Sequence, residues 1–564
     1  FAVRIFLFQI LFSLVLCRYG FSVNYRFEDS ESASLDFPKA FFQDSHDFLQ
    51  KGETNSMHPF RLLVFGGGNS PPENQFSLES NVRYFMRIRE RIGVGEAPLD
   101  LFFADGIDQA RDLQFNDPEY QIPTANLALA KLFGKSSGIR NQYRNNLLAS
   151  DGQSSLDNLD AWFEERGNST EKQINLVYFT GHGGKGKKSD PKNTSVLLWN
   201  DEKLNMIDLS EKLDSMPPQQ TFLFVMVQCY AGGFANLMFR EGIVANGLSM
   251  QPRAGFFATT YDRVAAGCTP DIRESNYSEY STQFWEALCG INRMGEEVLK
   301  PDYDGNGLVS LAEAHSYVII HSDTIDVPVK TSDVWLRNVF SPGFDKRETE
   351  GNQSSGYDYK KDDLDLRELF LRKINKAREI HTEHPKPIIS DLISHFAEAE
   401  EREVFQKLSE VLKIKGDFPL MQLHEKKILL DGEKNILDKS KKDALDRRKK
   451  IHHRLKKMVG KKYPELQNPF HPMVTEILCG PEGRTFKELI KEENLWEDLL
   501  SKEKEVEKWE AEKFRIQKKL AKIMRLKRCI EYVWLTQLLE SKGSFRQQSD
   551  FFKLVKLERT QMTK

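Results

Sequence analysis

Ile174-Asn-Leu-Val-Tyr-Phe-Thr-Gly-His182-Gly-Gly and Thr221-Phe-Leu-Phe-Val-Met-Val-Gln-Cys229-Tyr-Ala-Gly-Gly decide how this chain is read. Each begins with a short apolar run, Ile174–Phe179 or Phe222–Val227, with no polar alternation. Such runs suit strands buried on both faces. Each then ends in small residues around one reactive side chain. Similar runs recur at Leu62–Phe65, Leu99–Phe103 and Gly255–Thr260. Helical patterns lie between them, at Leu78–Ile92, Leu156–Arg166 and Ile207–Leu213. Strands alternating with helices predict an α/β class, with a largely parallel sheet covered on both sides.

In open α/β sheets, sites form outside the carboxyl ends of the strands. His182 and Cys229 both fall there. They are 47 positions apart, room for one helix to return the chain to a parallel strand. A thiol needs a base, a cation or a helix N-terminus to become a nucleophile. Cys229 has His182 in prospect, and a helix predicted to start near Phe234. The amides of Gly183 and Cys229 are candidates for holding an oxyanion. Taken singly, Cys229 reads as an inert buried thiol and His182 as a turn residue. Taken together at two strand ends, they read as a catalytic pair.

These residues resemble the caspase–legumain clan of cysteine peptidases, with His-Gly after one strand and Cys after the next. Phe256-Phe-Ala-Thr-Thr260 is similar to the next legumain strand, and Leu62-Leu-Val-Phe-Gly-Gly-Gly-Asn69 to the first strand and loop. The likeness spans roughly residues 60–320. It implies a three-layer α/β/α caspase-hemoglobinase-like domain, closest to legumain-like proteins. His182 would be the base and Cys229 the nucleophile of an endopeptidase acting through an acyl-enzyme. Asn74 would correspond to the asparagine that orients the histidine. Gln228 stands where the clan has Ala or Ser, Val227 where legumains have an acid, and Phe76 where they have a substrate-binding Arg. Cleavage after Asn or Asp is therefore not supported. Asp262 and Arg263, beyond the fifth strand, either line a specificity pocket or are solvated loop charges. A catalytically inactive protein- or calcium-binding protein on the same fold is the alternative.

Gly181-His-Gly-Gly-Lys-Gly-Lys187-Lys188 nearly spells a phosphate loop. Lys188 replaces the magnesium-binding Ser or Thr, and a turn, not a helix, is predicted next. Asp302-Tyr-Asp304-Gly-Asn306-Gly307-Leu308-Val-Ser310-Leu-Ala-Glu313 matches the twelve-residue calcium loop. Asp302, Asp304, Asn306, the Leu308 carbonyl, Ser310 and Glu313 are its predicted ligands. Ala312–Ile320 is the exit helix of a structural Ca2+ site. Catalysis itself calls for no cofactor.

The 564 residues carry a formal net charge of -3. That sum hides a split. Residues 351–564 hold 47 Lys+Arg and 37 Asp+Glu, net +10, and residues 1–350 hold 33 and 46, net -13. The near-neutral total argues against nucleic-acid binding, and no later apolar run is long enough to span a membrane. Arg4 followed by the apolar run Ile5–Leu16 reads as a signal peptide, 1–22, and predicts export. A lead-in or pro-segment is expected at 23–58, the peptidase domain at 59–345, a linker at 346–363 and a charged helical domain at 364–564. Opposite charge invites an intramolecular contact between the basic and acidic parts. Among the cysteines, Cys268–Cys289 is the first pairing expected.

Overall fold

A computed structural model describes residues 58–168, 172–340, 388–416, 419–491 and 494–562. The signal peptide, the lead-in up to residue 57 and the linker lie outside the described residues.

The central sheet has six strands: β1 (Phe60–Gly67), β2 (Leu99–Phe103), β3 (Ile174–Gly181), β4 (Thr221–Val227), β5 (Arg253–Phe257) and β6 (Val329–Lys330). Their spatial order is β6-β5-β4-β3-β1-β2. All neighbours are parallel except β5 and β6. In the first 340 residues the helices are α1 (Phe76–Ile88), α2 (Thr124–Leu132), α3 (Leu156–Gly167), α4 (Met206–Asp214), α5 (Tyr280–Cys289), α6 (Leu311–His321) and α7 (Thr331–Val339). The chain is thus α/β, with a mostly parallel sheet.

Side chains of a strand alternate between faces, and here the alternation builds two cores. Leu62, Val64, Leu176, Tyr178, Leu223 and Val225 face Val82, Phe85, Phe284, Trp285 and Val318 of α1, α5 and α6. Leu63, Phe65, Val177, Phe179, Phe224 and Met226 face Leu159, Trp162, Leu209 and Leu213 of α3 and α4. Trp285 locks the first core, with Phe85 at 4.7 Å and Tyr178 at 5.2 Å between ring centroids. Ser155 and Asn205 cap α3 and α4 through side-chain oxygens that accept backbone N–H groups.

The later helices are α8 (Ile388–Phe396), α9 (Ala399–Leu412), α10 (Pro419–Lys462), α11 (Met473–Cys479), α12 (Glu482–Lys491), α13 (Leu495–Lys542) and α14 (Phe545–Glu558). This C-terminal region is helical, as expected. No described helix is long and apolar enough to cross a membrane.

The chain forms two compact units, and they do not follow the division predicted from charge. One holds 59–120, 140–439 and 509–564, so the sheet shares a body with much of the helical region. There, Met238, Trp335 and Leu336 pack with Leu392, Val404, Leu408, Leu526, Ile530 and Leu554. Lys330 at the sheet edge pairs with Glu401 at 2.8 Å, and Ser332 N–H donates to Glu558 at 2.6 Å. In the other unit, residues 121–139 join 440–508. Leu129 and Phe133 of that segment pack with Leu455, Val459, Phe486 and Trp496. Charge balance reports the faces turned to water. The apolar stripe of each helix sets its partner, and that stripe is a minority of α10 and α13.

Candidate active site

β3 and β4 pair in register up to Thr180 opposite Val227. His182 and Cys229 each follow two residues beyond that last pair. Gly183 closes the approach: a Cβ there would lie 2.0 Å from the Cys229 carbonyl oxygen. Only glycine lets the loop after β3 rest on the Cys229 backbone. The His182 carbonyl accepts Leu197 N–H at 2.9 Å, which ties this loop to the short hairpin behind it.

The His182 ring nitrogen Nε2 lies 2.8 Å from the Glu73 carbonyl and 3.0 Å from the Gln75 amide oxygen. The Glu73 carboxylate is 3.8 Å away. Two acceptors around one nitrogen require that nitrogen to carry the proton, which leaves Nδ1 as the basic atom of the neutral ring. Among the described residues no hydrogen bond joins the imidazole to Cys229.

Asn74, the predicted orienting residue, does not reach the ring. It is fully buried, accepts Gly68 N–H at 3.0 Å and donates to Asp112 at 2.6 Å. A Cβ on Gly68 would collide with the Asn74 backbone at 2.3 Å. Asn74 therefore fixes the loop, and its neighbours Glu73 and Gln75 hold the histidine. Sequence pointed to this loop but missed the two residues by one position each, because which residue faces the ring depends on a 3-10 turn at Pro71–Glu73.

Cys229 lies beyond β4, ahead of Tyr230, which adopts the left-handed backbone (φ 62°) and starts a 3-10 helix, Ala231–Met238. The predicted helix start near Phe234 is thus a few residues earlier. A left-handed conformation at a bulky residue marks a forced turn. The Cys229 sulfur accepts Ala265 N–H at 3.4 Å. Burial pushes the thiol up from its ordinary range, Asp326 adds to the rise, and the Ala265 amide opposes it. Gln228 is buried, and neither end of its amide has a hydrogen-bond partner among the described residues.

The loop after β5 supplies that Ala265 amide. Arg263 O accepts Tyr230 N–H at 2.8 Å. Asp262 is exposed and accepts the Thr260 hydroxyl at 2.7 Å. The Arg263 guanidinium donates to Ile325 O at 3.1 Å and lies 3.6 Å from the Met524 sulfur. Arg263 thus braces the loop.

Gly183–Gly184 pair with Ser195–Val196 in a small antiparallel sheet, and no helix follows Lys188. The phosphate-loop geometry is absent from this segment. Cys268 and Cys289 are both free, so the expected Cys268–Cys289 bond is not formed. Cys268 is exposed, whereas buried Cys289 donates to Ile291 O at 3.1 Å.

The loop 302–313 closes on itself. Carboxylate oxygens of Asp302, Asp304 and Glu313 lie within 4.8 Å of one another. Asp302 accepts Gly307 N–H at 2.9 Å, while its other oxygen is buried without a partner. Asn306 Oδ1 accepts Leu308 N–H at 2.9 Å. Ser310 and Glu313 form a reciprocal cap on α6, and Glu313 also accepts Tyr303 N–H at 2.7 Å. Three clustered carboxylates, one with an orphaned oxygen, fit a hard divalent cation.

No protein-family model matches the chain, and no curated protein matches it. Among solved structures it is similar to protein GSU0716 from Geobacter sulfurreducens, at 11% identity and a TM-score of 0.28, over 48% of this chain and 92% of that one.

Proposed function

We propose that this chain is an exported cysteine endopeptidase of the caspase–legumain type, with His182 and Cys229 as its catalytic pair. The observation that supports the reading is the β3–β4 pairing, whose last pair, Thr180 opposite Val227, comes two residues before each of them at adjacent strand ends. Burial keeps Cys229 as a thiol, so the proton passes to His182 as the sulfur attacks the peptide carbonyl. The amides of Gly183 and Cys229 are the candidates to meet the oxyanion. The C–N bond then breaks, the leaving amine takes the proton from His182, and water hydrolyses the thioester. The Glu73 carbonyl and the Gln75 amide oxygen hold the ring through Nε2.

A thiol-reactive peptidyl probe tests this. Labelling is expected in the parent chain and lost in Cys229→Ala and His182→Ala. Equal labelling of parent and both variants would overturn it. The second reading, an inactive binding protein on this fold, draws on the raised thiol and on the imidazole bonding away from sulfur. It predicts a folded parent chain that takes no label.

Residues 302–313 we assign as a structural calcium loop. Asp302, Asp304, Asn306, Ser310, Glu313 and the Leu308 carbonyl would hold the ion. Added Ca2+ is expected to raise the Tm of the parent chain and not that of Asp302→Asn/Asp304→Asn.

A further inference from the structure

The nucleophile's surroundings extend into the last quarter of the chain. Arg525, on α13, is buried against the segment after α6. Its Nε donates to Asp326 O at 2.8 Å, and Nη1 donates to Ser322 O at 2.6 Å. Nη2 donates to Thr324 O at 3.2 Å. One guanidinium thus gathers the carbonyls of residues 322, 324 and 326, a task for its planar fork of donors that an ammonium cannot repeat. That segment in turn holds the loop after β5 at two points. Asp326 Oδ1 accepts Ala266 N–H at 2.6 Å, and Ile325 O accepts the Arg263 guanidinium. The next amide along, Ala265 N–H, meets the Cys229 sulfur.

We infer that Arg525 is a positioning residue for the Cys229 nucleophile, acting through residues 322–326 and the Ala265 amide. It touches neither sulfur nor substrate. Without its fork, three carbonyls lose their shared donor, the 322–326 segment relaxes and Ala265 N–H leaves the sulfur. The stretch of α13 that carries Arg525 is then part of the catalytic unit and not a detachable cover. The inference rests on Cys229 being the reactive thiol.

The test is the pH dependence of Cys229 alkylation by iodoacetamide in the full chain, with the other described free cysteines, Cys268, Cys289 and Cys529, changed to Ser. Arg525→Met should move the profile to higher pH, because the sulfur loses its amide donor. Arg525→Lys should move it the same way, since charge alone does not restore three directed bonds. Asp326→Asn keeps an acceptor for Ala266 N–H and removes a nearby negative charge, so it should move the profile to lower pH. These opposite shifts are not expected of general destabilisation. If Arg525→Met fails to fold, Arg525→Lys and Asp326→Asn carry the test. Profiles unchanged in the folded variants would overturn the inference. Alkylation reads the thiol without needing peptide hydrolysis, so a chain that cleaves nothing yet shows these shifts would overturn only the peptidase reading.

Discussion

The loop 302–313 and the site around Cys229 are built in opposite ways. The loop draws its contacts mainly from within twelve residues: Asp302 on Gly307, Asn306 on Leu308, Glu313 on Tyr303 and Ser310. The Cys229 site is assembled from residues 73–75, 182–183, 263–266, 322–326 and 525. A local loop keeps its shape if its own residues are kept. A site of five segments fails when any one of them moves, and its weakest point can lie far along the chain.

Three changes would break or sharpen that contrast, in falling order of effect. Gly183→Ala forces a methyl to within 2.0 Å of the Cys229 carbonyl oxygen. Backbone must shift, at a cost of about 3 kcal/mol, and a displaced His182 should lower kcat/KM by about 100-fold. Urea titration and peptide turnover measure the two; a neutral outcome would mean that the strand ends are not tightly set.

The second change is Asp326→Asn, followed against pH. Burial pushes the Asp326 carboxyl up to about 6 from 3.8. The folded state therefore holds this proton more tightly than the unfolded chain. The stabilisation is complete below about pH 4 and is lost as pH rises through 6, about 3 kcal/mol at most. In Asp326→Asn that loss disappears, so its advantage in urea midpoint over the parent should grow from pH 4 to 6 and then level off. A constant difference would remove Asp326 from the account.

The third change, Ser310→Ala, is the mildest. It deletes the N-cap of α6, at about 1 kcal/mol, read as a small drop in Tm. It also removes one assigned Ca2+ ligand, but the three carboxylates remain, so the Ca2+-induced rise in Tm should shrink and still persist. Its disappearance would show that the loop depends on its cap more than on its charges.

The same contrast governs what sequence revealed. β2 begins and ends where its apolar run does, and α3, α4 and α6 fall within two residues of their predicted ends. Each is an element whose period and caps are local. That His182, Gly183 and Cys229 follow the ends of β3 and β4 was legible because a strand end announces itself by an apolar run giving way to small and polar residues. Glu73, Gln75, Ala265, Asp326 and Arg525 were not. Two of them act through backbone atoms, which leave no residue signature, and Arg525 looks like any other basic residue in a charged helix. Asn74 was chosen for its residue type, yet burial assigns it to Gly68 and Asp112.

The sequence by itself determined the α/β class, five of the six strands of the central sheet and the calcium-loop pattern, because these rest on short-range periodicity and spacing. Tertiary structure decided which residues hold the imidazole, that the Cys229 thiol is half-buried with its pKa raised, that Cys268 and Cys289 stay apart, and that residues 509–564 share a body with the sheet. Those outcomes depend on which surfaces bury each other across hundreds of residues, and the free energy of burial has no local sequence code.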